Sequence, residues 1–282
     1  MGSKGMDERD LTFFDTETTG LDPRTGDRVI ELAAVRVRGG KVVGSFQELV
    51  DPQRPVPAGA FRVNGISDEM LAGKPLMAEV LPGFAKFIRG SCLCAYNAPF
   101  DMDFLESEFR LAGMELPEGI AVIDVLSMAR HLLVLERYAL WFVSESLGIG
   151  GGQEHRALAD VELTIEVFKR LSERLTEKDI SSLDDMVCLL GRGCAAFDRM
   201  QKVKLEQIRQ EIELGSRIRI RYFSRSDPAV TEREVVPRQI MTDRDRAYFT
   251  GFCSLKAAER TFRIEGILAL EVLGAAEQKG NA

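Results

Sequence analysis

The sequence predicts an α/β fold followed by a small β module, and three observations carry the prediction. Short apolar runs alternate with helical segments as far as Leu175. Arg28 to Arg38 and Lys41 to Val50 read as two strands joined by a Gly39-Gly40 turn, an antiparallel pair. Arg217-Ile218-Arg219-Ile220-Arg221-Tyr222-Phe223 alternates arginine with apolar residues, the two-residue period of a strand.

The elements follow in order. Leu11 to Phe14 is a buried strand broken by Thr18-Thr19-Gly20, and Cys92 to Tyr96 is a second short apolar strand. Asn97-Ala98-Pro99 suits a helix start. Helices are expected around Met77 to Ile88, Met102 to Leu111, Val125 to Val134, Leu140 to Leu147 and Ala159 to Leu175. Glu177 to Gly215 is polar with apolar residues at helical steps, which suits a connector or a dimer-forming helical pair. Further strands are expected at Glu232 to Pro237, Ala247 to Cys253 and Thr261 to Leu273, a spacing that suits a small β-barrel or sandwich. A chain of 282 residues fits two domains. The expected division is 7–175, a connector over 176–214, the β module over 215–276 and a tail over 277–282, with 1–6 an added or disordered leader.

Charge and cysteine usage bound the function. The net charge is −7, yet between Arg217 and Arg263 eleven Lys and Arg face six Asp and Glu, so a basic module is attached to an acidic body. Five cysteines without a Cys-x-x-Cys pair argue against a disulfide framework or a structural zinc and for the reducing cytoplasm. No apolar stretch approaches the roughly 20 residues of a membrane span.

The chemistry concentrates in three motifs. In Phe14-Asp15-Thr16-Glu17-Thr18, Asp15 and Glu17 fall on one face of a strand end, where two carboxylates repel unless a hard divalent cation lies between them. Read alone, the pair could equally be a solvated turn. Asp101 falls in the first turn of the helix that follows Asn97, where an acid also serves the helix dipole. His155 follows the Gly150-Gly151-Gly152 loop and precedes an apolar-periodic helix carrying Asp160. The chain has only two histidines, and His155 suits a proton carrier better than His131, which lies among apolar helix residues.

Asp-x-Glu, then Asn-x-x-Phe-Asp, then His-x-x-x-x-Asp, in this order, resembles the DEDDh exonucleases, in particular those like the proofreading epsilon subunit of bacterial DNA polymerase III. The resemblance runs from about Leu11 to Leu171. It implies a ribonuclease H-like mixed sheet flanked by helices and a 3′→5′ exonuclease that releases nucleoside 5′-monophosphates from single-stranded DNA, with RNA open. It implies two Mg²⁺ or Mn²⁺ ions held by Asp15, Glu17, Asp101 and Asp160, with His155 as general base, for which an ordinary imidazole pKa of about 6.5 already suits. It also sets the terminal nucleotide against Thr16, Thr18, Val63, Asn64, Asn97 and Phe104. Asn64 and Tyr96 stand where that group commonly has histidines.

Arg233 with Pro237, Ala247-Tyr248-Phe249 and Arg260-Thr261-Phe262-Arg263-Ile264 resemble a WYL domain, although Ala247 and Phe249 replace the name-giving tryptophan and leucine. That resemblance implies a small SH3-like or Sm-like barrel. Arg219, Arg221, Tyr222, Arg238, Tyr248, Arg260 and Arg263 are the expected contacts for nucleic acid or a regulatory nucleotide, by charge and stacking together. A polymerase-associated proofreading subunit is the weaker alternative, because no sliding-clamp motif is evident. A non-catalytic nucleic-acid or ligand sensor is the third.

Overall fold

The computed structural model describes residues 9–150, 156–191, 195–224, 229–243 and 246–275. Two five-stranded sheets organise them. The first comprises β1 (Leu11–Thr18), β2 (Val29–Arg38), β3 (Lys41–Leu49), β4 (Cys92–Ala95) and β5 (Val122–Asp124), in the order β3-β2-β1-β4-β5. β2 is antiparallel to both β1 and β3, whereas β4 runs parallel to β1 and β5 parallel to β4, so the sheet is mixed.

Alternation along β1 decides what each face buries. Leu11 and Phe13 join a core built with α5 (Val125–Leu132), α6 (Leu140–Ser146) and α7 (Ala157–Thr176). Phe14 joins the opposite core with α3 (Met77–Ile88) and α4 (Ala98–Leu111). β1 is longer than its apolar run predicts, because pairing with β2 carries it through Asp15 and Glu17 to Thr18. Two short helices, α1 (Ala58–Asn64) and α2 (Asp68–Leu71), have no apolar period to betray them, since each buries a single residue.

The parallel half is tied together by one carboxylate. Asp124, at the end of β5, accepts from the N–H groups of Leu126 and Ser127 and so caps α5. Its Oδ1 also accepts from the N–H groups of Asn97 and Ala98 at the start of α4. Asn97 takes a left-handed φ of 69° there, a conformation that Asn tolerates better than most residues.

The second sheet, β6 (Ser216–Phe223), β7 (Val230–Asp243), β8 (Arg246–Cys253), β9 (Ala258–Arg263) and β10 (Ile267–Ala275), is antiparallel in the order β10-β6-β7-β8-β9. The expected single piece from Thr261 to Leu273 is two strands, separated by a 3-10 turn at Ile264–Gly266. A β-carbon on Gly266 would come within 2.7 Å of the Tyr222 ring. Among the described residues β9 and β10 do not pair, so the ladder is open where a closed barrel was expected.

The connector helices are part of both cores. Leu183, Met186, Leu189 and Leu190 of α8 (Leu183–Leu190) join the Phe13 core, and Phe223 of β6 joins the same cluster. α9 (Ala195–Leu214) lays Phe197 on the Phe14 core and Leu205, Ile208 and Ile212 on the second sheet.

Candidate active site

The carboxylates converge at the end of β1. Asp15 and Glu17 share the Leu11 and Phe13 face of the strand and meet Asp160 from the first turn of α7. Ligand oxygens of these three lie within 4.8 Å of one another. Asp101 arrives from α4 on the other side, where its Oδ1 accepts from the Thr16 N–H at 3.0 Å and the Thr16 hydroxyl at 2.8 Å. Thr16 therefore couples the strand between Asp15 and Glu17 to the Asp101 carboxylate. Of the five expected catalytic residues, His155 falls outside the described residues.

The electrostatics of the cluster suit it to hold a cation. Burial raises Asp15 far above the usual carboxylate range, and the charges of Asp101, Glu17, Asp160 and Glu31 add to the effect. Burial, then Asp160, Glu31 and Asp101, push Glu17 up to about 8, against a lowering hydrogen bond from Asn64. Asp101 is pushed up to about 7 by burial, although the two donors of Thr16 favour its charged form. Asp15, Glu17 and Asp101, which resist ionising beside Asp160, offer with it hard oxygen donors of the kind Mg²⁺ or Mn²⁺ takes, and a divalent cation would relieve their repulsion.

A further acid lies beneath the cluster. Glu31, opposite Glu17 in the β1–β2 register, is fully buried. Burial drives its carboxyl upward, but hydrogen bonds from Arg156, Gln47 and the Ala157 N–H more than offset that and hold it below its ordinary value. Sequence reading missed this pair, because only the strand register brings Glu31 to Arg156.

Beside the carboxylates opens a cleft of about 530 Å³. Thr16, Thr18, Val63 and Asn64, four of the residues that the resemblance sets against the terminal nucleotide, line it together with Leu21 and Phe100. The Asn64 side chain is fixed, donating to the Thr18 carbonyl at 3.4 Å and accepting from the Ile66 N–H at 3.1 Å. A β-carbon on Gly20, also in the wall, would lie 2.1 Å from the Asp27 carboxylate, so a side chain there would have to displace that group. Two expectations need correction. Phe104 is fully buried in the Phe14 core, and its neighbour one turn earlier, Phe100, faces the cleft instead, with ring centroids 5.0 Å apart. Asn97 is exposed at the helix cap and does not line the cleft.

The profile of the Exonuclease family (RNase_T) matches residues 12–168, more than half the chain, and spans every one of these motifs. The chain belongs to this exonuclease family. A WYL domain profile matches residues 203–272, so the exonuclease domain is followed by a WYL domain. Among relatives, a DNA polymerase III PolC-type protein of Thermotoga maritima is 40% identical over 179 residues, 63% of this chain, and the chain spans only 13% of its length. DNA polymerase III subunit epsilon of Rickettsia felis is 39% identical over 166 residues, covering 57% of this chain and 72% of that protein. E. coli ExoI in a complex with single-stranded DNA has the same fold, with a TM-score of 0.58 at 18% identity, over 87% of this chain and 55% of that one. The nuclease domain of 3′hExo, a DEDDh family member bound to rAMP, gives 0.53 at 17%, over 61% and 95%. At these identities the two structures speak for the fold alone.

In the WYL domain the expected ligand contacts are largely engaged within the protein. Arg219 reaches Glu234 at 3.0 Å and Glu271 at 2.9 Å, its direct neighbours on β7 and β10. Both terminal nitrogens of Arg221 bond Asp185 of α8, and Arg238 pairs with Glu259. Tyr222 is buried and its hydroxyl accepts from the Arg263 N–H at 3.2 Å. Arg260 is exposed, and Tyr248 and the Arg263 side chain are half-buried. Of the alternating arginines that marked a basic face, Arg219 is thus one rung of a cross-strand ladder and Arg221 is taken up by a helix.

Proposed function

We propose that this exonuclease is a metal-dependent 3′→5′ enzyme that shortens single-stranded nucleic acid, DNA in the first place, to nucleoside 5′-monophosphates. The observation that carries the reading is the meeting of Asp15, Glu17 and Asp160 within 4.8 Å, with Asp101 bonded to the intervening strand. Divalent cations, Mg²⁺ or Mn²⁺, would supply Lewis-acid polarisation of the scissile phosphate and of water. Asp15, Glu17, Asp101 and Asp160 are the residues that would hold them.

The chain's own groups do the rest. Thr16 fixes the Asp101 carboxylate through two hydrogen bonds, so that its oxygens stay oriented when the charge around them changes. Phe100, Leu21 and Val63 offer apolar surface to the terminal base and sugar in the cleft, and Asn64 keeps Glu17 oriented. His155, by its position in the motif, accepts the proton of the attacking water. In the WYL domain, Arg260, Arg263 and Tyr248 remain as contacts for substrate or a regulatory nucleotide, on the antiparallel sheet.

Digestion of 3′- and 5′-labelled DNA and RNA of equal sequence, with Mg²⁺, Mn²⁺ or EDTA, tests the reading. Metal-dependent shortening from the 3′ end that is lost in Asp15→Ala is expected; no shortening of any substrate would overturn it. The names of the relatives favour a second reading, a proofreading subunit of a polymerase. Copurification with a replicative polymerase tests that one.

A further inference from the structure

We propose that the surface between α5 and α6 is a platform on which nucleobases upstream of the 3′ end stack, outside the terminal-nucleotide cleft. The inference rests on the exonuclease reading and extends it to a second substrate contact. The Arg130 guanidinium, in the last turn of α5, lies 5.8 Å from the Tyr138 ring centroid. That of Arg137 lies 5.5 Å from the Phe142 ring, and Trp141 meets Phe142 edge to face at 5.5 Å. Both arginines are exposed and all three rings half-buried, so guanidinium planes and ring surface reach solvent within one short segment.

The arginines here differ from those of the second sheet. Arg219, Arg221 and Arg238 are joined to carboxylates, whereas among the described residues neither Arg130 nor Arg137 forms an ion pair. Glu136, between them in sequence, is the single acid of the turn, and the patch stays net positive. Exposed cation–π contacts contribute little to folding, so loop stability alone is a weak reason for two of them side by side. Stacked aromatic and guanidinium groups are what single-stranded bases and their phosphates take up without sequence preference.

The platform is also anchored beside the carboxylates. The Tyr96 hydroxyl donates to the Tyr138 carbonyl at 2.7 Å. Tyr96 directly precedes Asn97, the cap of the helix whose first turn carries Asp101. α6 in turn packs on α7, whose first turn carries Asp160.

Trp141 is the only tryptophan, which makes it a reporter. The full chain in EDTA is titrated with dTMP and with twelve-nucleotide oligo(dT) and oligo(U), following its fluorescence. A saturable change is expected with an oligomer and none with dTMP; a response to one sugar alone supports the platform and assigns its strand. Arg137→Ala, at an exposed site, should weaken oligomer binding about tenfold and lower the slope of log affinity against log salt by about one. In Mg²⁺ it should raise KM for the twelve-mer far more than for a dinucleotide. Phe142→Leu should weaken oligomer binding in the same direction. Fluorescence indifferent to both oligomers, or Arg137→Ala with unchanged KM and salt slope, would overturn the platform while wild-type digestion of the twelve-mer kept the exonuclease reading. Failure of the wild type to digest any substrate would overturn both.

Discussion

Arg156 holds Glu31 at two points, Nη2 to Oε1 at 2.9 Å and Nε to Oε2 at 3.1 Å, and so ties the entrance of α7 to the strand opposite Glu17. Glu31 is fully buried, and the half-exposed arginine is its principal countercharge. Arg156→Met should leave that carboxylate uncompensated and cost about 2–4 kcal/mol, read as a lowered urea midpoint. Turnover should fall with it, because the first turn of α7 carries Asp160. A variant with wild-type stability would show that solvent replaces the guanidinium.

Metal removal should make stability depend on pH in an unusual direction. Glu17 and Asp101 titrate near 8 and 7 in the folded chain, against ordinary values of 4.5 and 3.8. Between those limits the folded state binds more protons than the unfolded one, so stability falls as pH rises from about 4 to about 8. In EDTA, Tm should therefore drop over that window. Added Mg²⁺ should raise it most at the alkaline end, where the ligands must otherwise be charged without a partner. Calorimetry at pH 5 and pH 8 checks both signs.

Asp15→Asn should separate stability from activity. It removes one of the mutually repelling acids, so the metal-free Tm at pH 8 should rise while hydrolysis falls to background. A metal-free Tm below that of the wild type would mean that Asp15 has a structural role that outweighs its repulsion.

Phe100 and Phe104 are one helical turn apart and should respond to alanine in different currencies. Phe100→Ala should raise KM by roughly tenfold through lost base contact, with little change in Tm. Phe104→Ala should cost about 3–5 kcal/mol through an unfilled core. Steady-state kinetics and denaturant unfolding on both variants decide between this assignment and the reverse.

That pair also illustrates what the sequence made legible. Helical phase puts both aromatics on one face of α4, and the family resemblance set Phe104 against the nucleotide; only the packing of α4 on the Phe14 core shows that Phe104 is buried and Phe100 faces the cleft. The hairpin of β2 and β3 and helix α3 were readable because periodicity encodes them locally, whereas the convergence of Asp15, Glu17 and Asp160 was readable only through the family resemblance that the order of the motifs carries. Glu31 with Arg156, and Arg219 with Glu234 and Glu271, were not, since strand register makes those partners and nothing in the local pattern signals it. α1 was invisible for the opposite reason: five of its seven residues are exposed, Phe61 and Val63 among them, leaving no buried stripe.

Phe223 lies in the core of the first sheet although its strand belongs to the second, and Arg221, two residues earlier, grips α8. The catalytic and WYL halves are therefore grafted through a shared seam, and they cannot be exchanged as interchangeable cassettes. A chimera that replaced everything after α9 would have to bring its own apolar plug for the Phe223 socket and a cation for Asp185. Cut at the end of α7, the catalytic half would lose α8 and bare the apolar wall that Leu183, Met186 and Leu189 now cover.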